Sequence, residues 1–131
     1  MIVIDASVLA NAIADDGADG ERARSDVRSA GEVAAPDLVD VETVAVLRRR
    51  WLAGSLTADR FRTAIGDLEL LEVDRYPALP FMRRAYELRH NVSAYDASYI
   101  ALAELLGCEL VTGDRRLAAS PGPRCPIRVI P

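Results

Sequence analysis

Met1-Ile-Val-Ile-Asp5-Ala-Ser7-Val-Leu9 opens the chain, and its first five residues decide the fold class. Ile2 to Ile4 is a short β-branched run stopped by an acid, the pattern of a strand buried on both faces. Ser7 to Ile13 follows with the composition of a helix. The same alternation then repeats along the chain. Asp15 to Gly20 reads as a polar loop, Glu21 to Ala30 as a polar helix, and Glu32 to Ala35 as a second strand halted by Pro36. Asp37 stands where an N-cap would, ahead of a helix running to Trp51 and Leu52 and closed by Gly54. Thr57 caps a helix from Ala58 to Asp67, and Leu70 to Val73 reads as a third strand. Pro77 to Arg89 is helical in pattern. Ser93 caps a further helix that ends at Gly107, a favourable position for a left-handed glycine. Glu109 to Thr112 is a fourth strand, Arg115 to Ala119 a short helix, and Ile127 to Ile130 a last strand.

Short apolar strands that alternate with helices require a parallel sheet covered on both faces. Right-handed crossovers then give a three-layer α/β/α sandwich around a central, mostly parallel sheet of four to five strands. The chain has 131 residues, half of them hydrophobic, which suits one domain spanning residues 1–131. In such folds ligands bind outside the carboxyl ends of the strands. Two acids fall at those ends, Asp5 after the first strand and Asp114 after the fourth.

Composition excludes several chemistries. The only histidine is His90, and the two cysteines, Cys108 and Cys125, form no Cys-x-x-Cys, so a zinc centre of Cys/His type is ruled out. The thiols are expected to be free in a reducing compartment. All 16 basic residues are arginine, which GC-rich coding explains. Without lysine the chain cannot supply the lysine that a phosphoacceptor receiver site needs, and no Gly-x-x-x-x-Gly-Lys loop is present. Asp5-Ala6-Ser7 lacks the second acid of a haloacid-dehalogenase-like phosphatase. The first residues lack a basic leader region, and no apolar run is long enough to span a membrane, so the expected location is the cytoplasm. A net charge of −4 is unusual for a nucleic-acid binder. Setting four acids aside in one cation site leaves the remainder neutral.

Each candidate acid has two readings. Asp5 can be a ligand at the strand mouth or the N-cap of the helix that follows. Glu42 lies on the apolar stripe of its helix, with Leu38, Val39, Ala45 and Val46 as same-face neighbours. An ionised carboxylate there needs a cation, an arginine or water at a cleft. Asp40 reads as a solvent-facing acid. Ser93-x-x-Asp96 resembles a capping box, and Asp96 also borders the core side with Ile100 and Ala103. Asp114 can be a ligand or the cap of the Arg115–Ala119 helix. Thr112 and Ser7 are hydroxyls at the same mouth, able to orient the carboxylates or a water, or to bond local backbone. Together these are hard oxygen donors with no nitrogen or sulfur among them, a set that selects Mg²⁺ or Mn²⁺.

Four stretches also carry a resemblance: Met1 to Leu9, Ala35-Pro36-Asp-Leu-Val-Asp-Val-Glu42-Thr-Val-Ala-Val-Leu-Arg48, Ser93-Ala-Tyr-Asp96-Ala-Ser-Tyr-Ile-Ala-Leu-Ala103, and Leu110-Val-Thr112-Gly-Asp114-Arg-Arg-Leu117. In order and spacing they resemble the motifs of PIN-domain proteins, and the length resembles the toxin component of VapBC toxin–antitoxin pairs. The resemblance implies an endoribonuclease acting on tRNA, rRNA or mRNA with one or two Mg²⁺ or Mn²⁺ ions. It implies that Asp5, Glu42, Asp96 and Asp114 form the catalytic metal site, supported by Ser7 and Thr112. It also implies a homodimer and a VapB-type antitoxin that occupies the active-site groove. Apolar residues of the Ser7–Ile13 helix or around Trp51 are candidates for the dimer face. A housekeeping RNA-processing nuclease and a non-catalytic binding module are the alternatives. Arg115 and Arg116, beside Asp114, are the basic residues expected to meet an RNA phosphate. Arg48, Arg49 and Arg50 read as a solvated helix end favoured by the helix dipole.

Overall fold

The computed structural model describes residues 1–131. Strand β1 (Ile2–Ile4) lies at the centre of a five-stranded sheet and is fully buried. Its neighbours are β2 (Val33–Pro36) on one side and β4 (Glu109–Thr112) on the other, with β3 (Asp74–Tyr76) and β5 (Ile127–Val129) at the edges. All four pairings are parallel, with Val3 opposite both Ala34 and Leu110. Parallel strands buried on both faces need continuous apolar side chains, which Ile-Val-Ile and Leu-Val supply.

The strand order β3-β2-β1-β4-β5 runs outward in both directions from β1. The chain therefore reverses its direction of growth between β1 and β4, and a crevice opens above their carboxyl ends. Helices α1 (Ala6–Ala14), α2 (Ala18–Ala30), α3 (Val39–Leu52) and α4 (Ala58–Leu70) pack on one another over one face. On the other face α6 (Ala94–Leu106) crosses β1, β2 and β4, backed by α5 (Met82–Glu87). The short α7 (Arg115–Ala119) rests on β5. One cluster of 33 buried apolar residues fills both interlayer spaces. No helix is long and apolar enough to cross a membrane.

Several local expectations are corrected. The third strand is Asp74–Tyr76 rather than Leu70–Val73, because α4 continues through Leu70. The strand at that edge pairs on one side only and is largely exposed, so it needs no apolar run. Asp37 does not cap α3. Its N–H donates to the Tyr76 carbonyl at 2.8 Å, extending the β2–β3 ladder, and the helix starts from Leu38 without a side-chain cap. Helix α2 begins at Ala18, inside the expected loop. The Asp15 carboxylate accepts the N–H groups of Gly17 and Gly20, and a side chain at Gly20 would collide with the Asp15 carbonyl. The Pro77–Arg89 helix is a 3-10 turn (Leu79–Phe81) followed by α5. The apolar side chains Val8, Leu9, Ala10 and Ile13 of α1 are buried in the core of the chain.

Candidate active site

The crevice above β1 and β4 is a cleft of about 250 Å³. Asp5, Glu42, Asp96 and Asp114 all line it, with Ser7, Tyr99 and Arg49 and an apolar wall of Ala6, Ala45 and Val46. Four separate elements deliver the four acids. Asp5 continues β1, its N–H donating to the Val111 carbonyl at 3.2 Å. Asp114 leaves β4 through Gly113. Glu42 projects from the first turn of α3 and Asp96 from the first turn of α6.

Ligand and cap readings coexist at two of these positions. Asp5 caps α1, accepting the Val8 N–H at 3.1 Å. Asp114 caps α7, accepting the Arg116 N–H at 2.8 Å. At Asp96 the cap is Ser93, whose Oγ accepts the Asp96 N–H at 3.1 Å, and the Asp96 carboxylate lines the cleft. A cap uses one carboxylate oxygen and the side chain keeps further acceptor capacity, so the two roles do not compete.

Both hydroxyls act on Asp5. Ser7 Oγ donates to Oδ1 at 2.7 Å, and Thr112 Oγ1 donates to Oδ2. Thr112 also accepts the Asp114 N–H at 3.0 Å, which ties the ends of β1 and β4 together through one side chain. Glu42 has no arginine partner. Its Oε1 accepts the hydroxyl of Tyr99 at 2.8 Å, a residue of α6 only 2% exposed. Tyr99 was not legible as a site residue, since at three positions past Asp96 it has the spacing of core.

Burial raises the carboxyl of Asp5 above its usual value despite bonds from Thr112, Ser7 and Val8. Burial also raises Glu42, opposed by the Tyr99 bond and reinforced by the charges of Asp96 and Asp5. Asp96 is raised by burial and then by Asp5 and Asp114, against the Ser93 bond. The acids therefore repel one another across the cleft. No three acidic groups converge into a preformed cage for an ion, and local donors hold the carboxylates of Asp5, Glu42 and Asp114. The donor set is still all oxygen and anionic, which fits a hard divalent cation.

The arginines divide differently from expectation. Arg115 and Arg116 are exposed and do not line the cleft. Arg116 approaches Asp114 only to 3.8 Å and is 95% exposed. Arg49 does line it. A second groove of about 370 Å³ between α1, α2 and α4 has an apolar lining with Arg24, Arg28 and Asp67 as its charged members and gathers no cluster of acids.

The family model for the PIN domain matches residues 2–122. The chain belongs to the PIN-domain family. Within that family this PIN domain belongs with the VapC ribonucleases. It is 44% identical over 131 residues to ribonuclease VapC9 of Mycobacterium tuberculosis, covering 100% of this chain and 99% of the relative. Among solved structures, PAE2754 from Pyrobaculum aerophilum superposes with a TM-score of 0.71 at 26% identity, covering 98% of this chain and 83% of that one. VapBC2 from Rickettsia felis, bound to a DNA fragment from its promoter, superposes with a TM-score of 0.69 at 13% identity over 98% of both chains and shares the fold. The PIN domain's sheet is wholly parallel and has all five strands of the expected range.

Proposed function

We propose that this PIN domain is a divalent-metal-dependent endoribonuclease that serves as the toxin of a type II toxin–antitoxin pair. The observation that carries this reading is the meeting of four acids, from four elements, in one cleft with no arginine neutralising the inner three. Asp5, Glu42, Asp96 and Asp114 would hold one or two Mg²⁺ or Mn²⁺ ions. A cation held by these carboxylates would supply the charge that acidifies an attacking water and offsets that of the scissile phosphate. Ser7 and Thr112 fix both oxygens of Asp5, so its carboxylate is oriented before any ligand arrives. Tyr99 holds Oε1 of Glu42 and leaves Oε2 free to face the cleft. Ala6, Ala45 and Val46 form the apolar part of the cleft lining.

The substrate is RNA in the cytoplasm (tRNA, rRNA or mRNA), and its cleavage inhibits translation and growth. A VapB-type antitoxin restrains the protein by covering this cleft, and the active form is a homodimer. The VapC relative, and the VapBC2 structure of the same fold, support that assignment. The test is cleavage of structured cellular RNA by purified protein. Mg²⁺ or Mn²⁺ is expected to support cleavage and excess EDTA to stop it. Undiminished cleavage in EDTA would overturn the metal mechanism. Cleavage without growth arrest on expression would point to RNA processing rather than toxicity.

A further inference from the structure

Six of the 16 arginines form ion pairs with acids. Arg60 meets Asp16, Arg75 meets Asp40, Arg84 meets Glu104, and Arg128 meets Asp26 and Glu109. Arg49 is set apart by its place: it lines the four-acid cleft yet forms no ion pair with any acid. The helix explains the placement. Glu42, Val46 and Arg49 stand at i, i+4 and i+7 on one face of α3, and all three line the cleft. Seven residues of helix rise put Arg49 about 10 Å along the axis from Glu42, beyond ion-pairing contact with it. Its neighbours leave that face. Arg50 turns the other way, donating to Asn11 Oδ1 at 2.6 Å, and Arg48 is not part of the cleft wall.

We propose that Arg49 is the substrate-binding residue that receives an RNA phosphate next to the scissile one. The proposal rests on the ribonuclease reading of the cleft. A guanidinium presents a planar fork that bonds two phosphate oxygens at once, and a free one at the rim of an anionic cleft is held ready for an anion. It also answers how an acidic chain without lysine engages a polyanion. Once the cleft acids are matched by bound cations, Arg49 supplies the remaining positive charge in the cleft wall.

The experiment measures binding of an unfractionated tRNA pool across a salt series in an Asp5→Asn background, which keeps the RNA intact. Arg49→Ala, Arg49→Lys and Arg48→Ala are compared, and the first two are also made in the active protein. Arg49→Ala is expected to weaken binding roughly tenfold and to lower the slope of log K against log salt by about one. Arg49→Lys restores the slope but not the full affinity, because the fork is lost. Arg48→Ala changes either by less than about twofold, although the two arginines are adjacent in the chain near the end of the helix. In the active protein Arg49→Ala raises KM about tenfold with kcat within about twofold. Equal losses at positions 48 and 49 would show diffuse attraction to the helix end and overturn the proposal. So would an unchanged slope in Arg49→Ala while the parent still binds. If the parent neither binds the tRNA pool nor, with Asp5 intact, cleaves cellular RNA, the ribonuclease reading itself falls and the proposal with it.

Discussion

Glu42 on α3 and Glu104 on α6 are both partly buried helical glutamates, and their surroundings are opposite. Burial pushes Glu104 up, but two bonds from Arg84, at 2.8 and 3.0 Å, and the Arg124 N–H more than offset it and leave the carboxyl below its usual value. Burial pushes Glu42 up as well. There a single tyrosine hydroxyl is the only opposing partner, and two neighbouring acids add to the shift. The same contrast divides the molecule. Several acids away from the cleft are matched by arginines, as at Asp26, Glu109 and Asp40. Acids inside it are packed together with hydroxyls and backbone N–H groups. An excess of buried negative charge lowers stability unless a cation joins it, so its retention at one place marks that place as a site.

The largest expected effect falls on the unpaired side. Asp5→Asn removes one charge while the amide oxygen still caps α1 and still accepts from Ser7, and the amide NH2 takes the place of the oxygen that accepted from Thr112. RNA cleavage is expected to fall at least about 100-fold. Unfolding free energy in the absence of metal should stay within about 1 kcal/mol or rise, because repulsion is relieved. Retained activity would mean that the cleft acids are not the catalytic set. On the paired side the order reverses. Arg84→Ala strands Glu104 and should lower stability by about 2–4 kcal/mol in denaturant titrations, with activity per folded molecule intact. The pH dependence has a definite sign. Because the folded pKa of Glu104 is lowered, its contribution is complete above the usual carboxylate range and is lost as pH falls toward the lowered value. Arg84→Ala should therefore lose stability at neutral pH and show a flatter acid limb. A loss that does not depend on pH would place the effect in packing or in the Arg84 bond to the Gly122 carbonyl.

Tyr99→Phe tests the one tether of Glu42. The ring stays in the core, and only the hydroxyl bond disappears. A loss of about 1 kcal/mol is expected, with cleavage reduced several-fold as Glu42 loses its fixed orientation. Full activity would show that Glu42 is positioned by the helix alone.

Much of this contrast was legible in the sequence because it follows from chain direction and period. Asp5 and Asp114 end buried β-branched strands, and parallel topology sends such ends to one edge. Glu42 shares a stripe with Val39 and Val46, which locates it at a core boundary, although its partner proved to be Tyr99 rather than an arginine. The β3 strand was not legible, since Asp-Arg-Tyr at an exposed edge has no apolar signature. Arg49 was hidden in a run of three arginines. Which of the three faces the cleft depends on the rotation of α3, which the buried faces of Val39, Thr43 and Leu47 set.

The smallest expected effect comes from Thr43, beside Glu42 and fully buried. Its hydroxyl has no hydrogen-bond partner. Helical threonines commonly bond the carbonyl one turn earlier, but this one does not. Thr43→Val keeps the branched shape and removes a desolvated polar atom, so stability should be unchanged or higher by up to about 1 kcal/mol. Cleavage should be unaffected, because the side chain points into the core and does not line the cleft. A loss of more than about 1 kcal/mol would mean that a buried water satisfies the hydroxyl, extending the polar region of the cleft behind α3. A parallel loss of cleavage would make Thr43 part of the support for Glu42. The boundary between the two regions would then lie one helical position deeper than Glu42 itself.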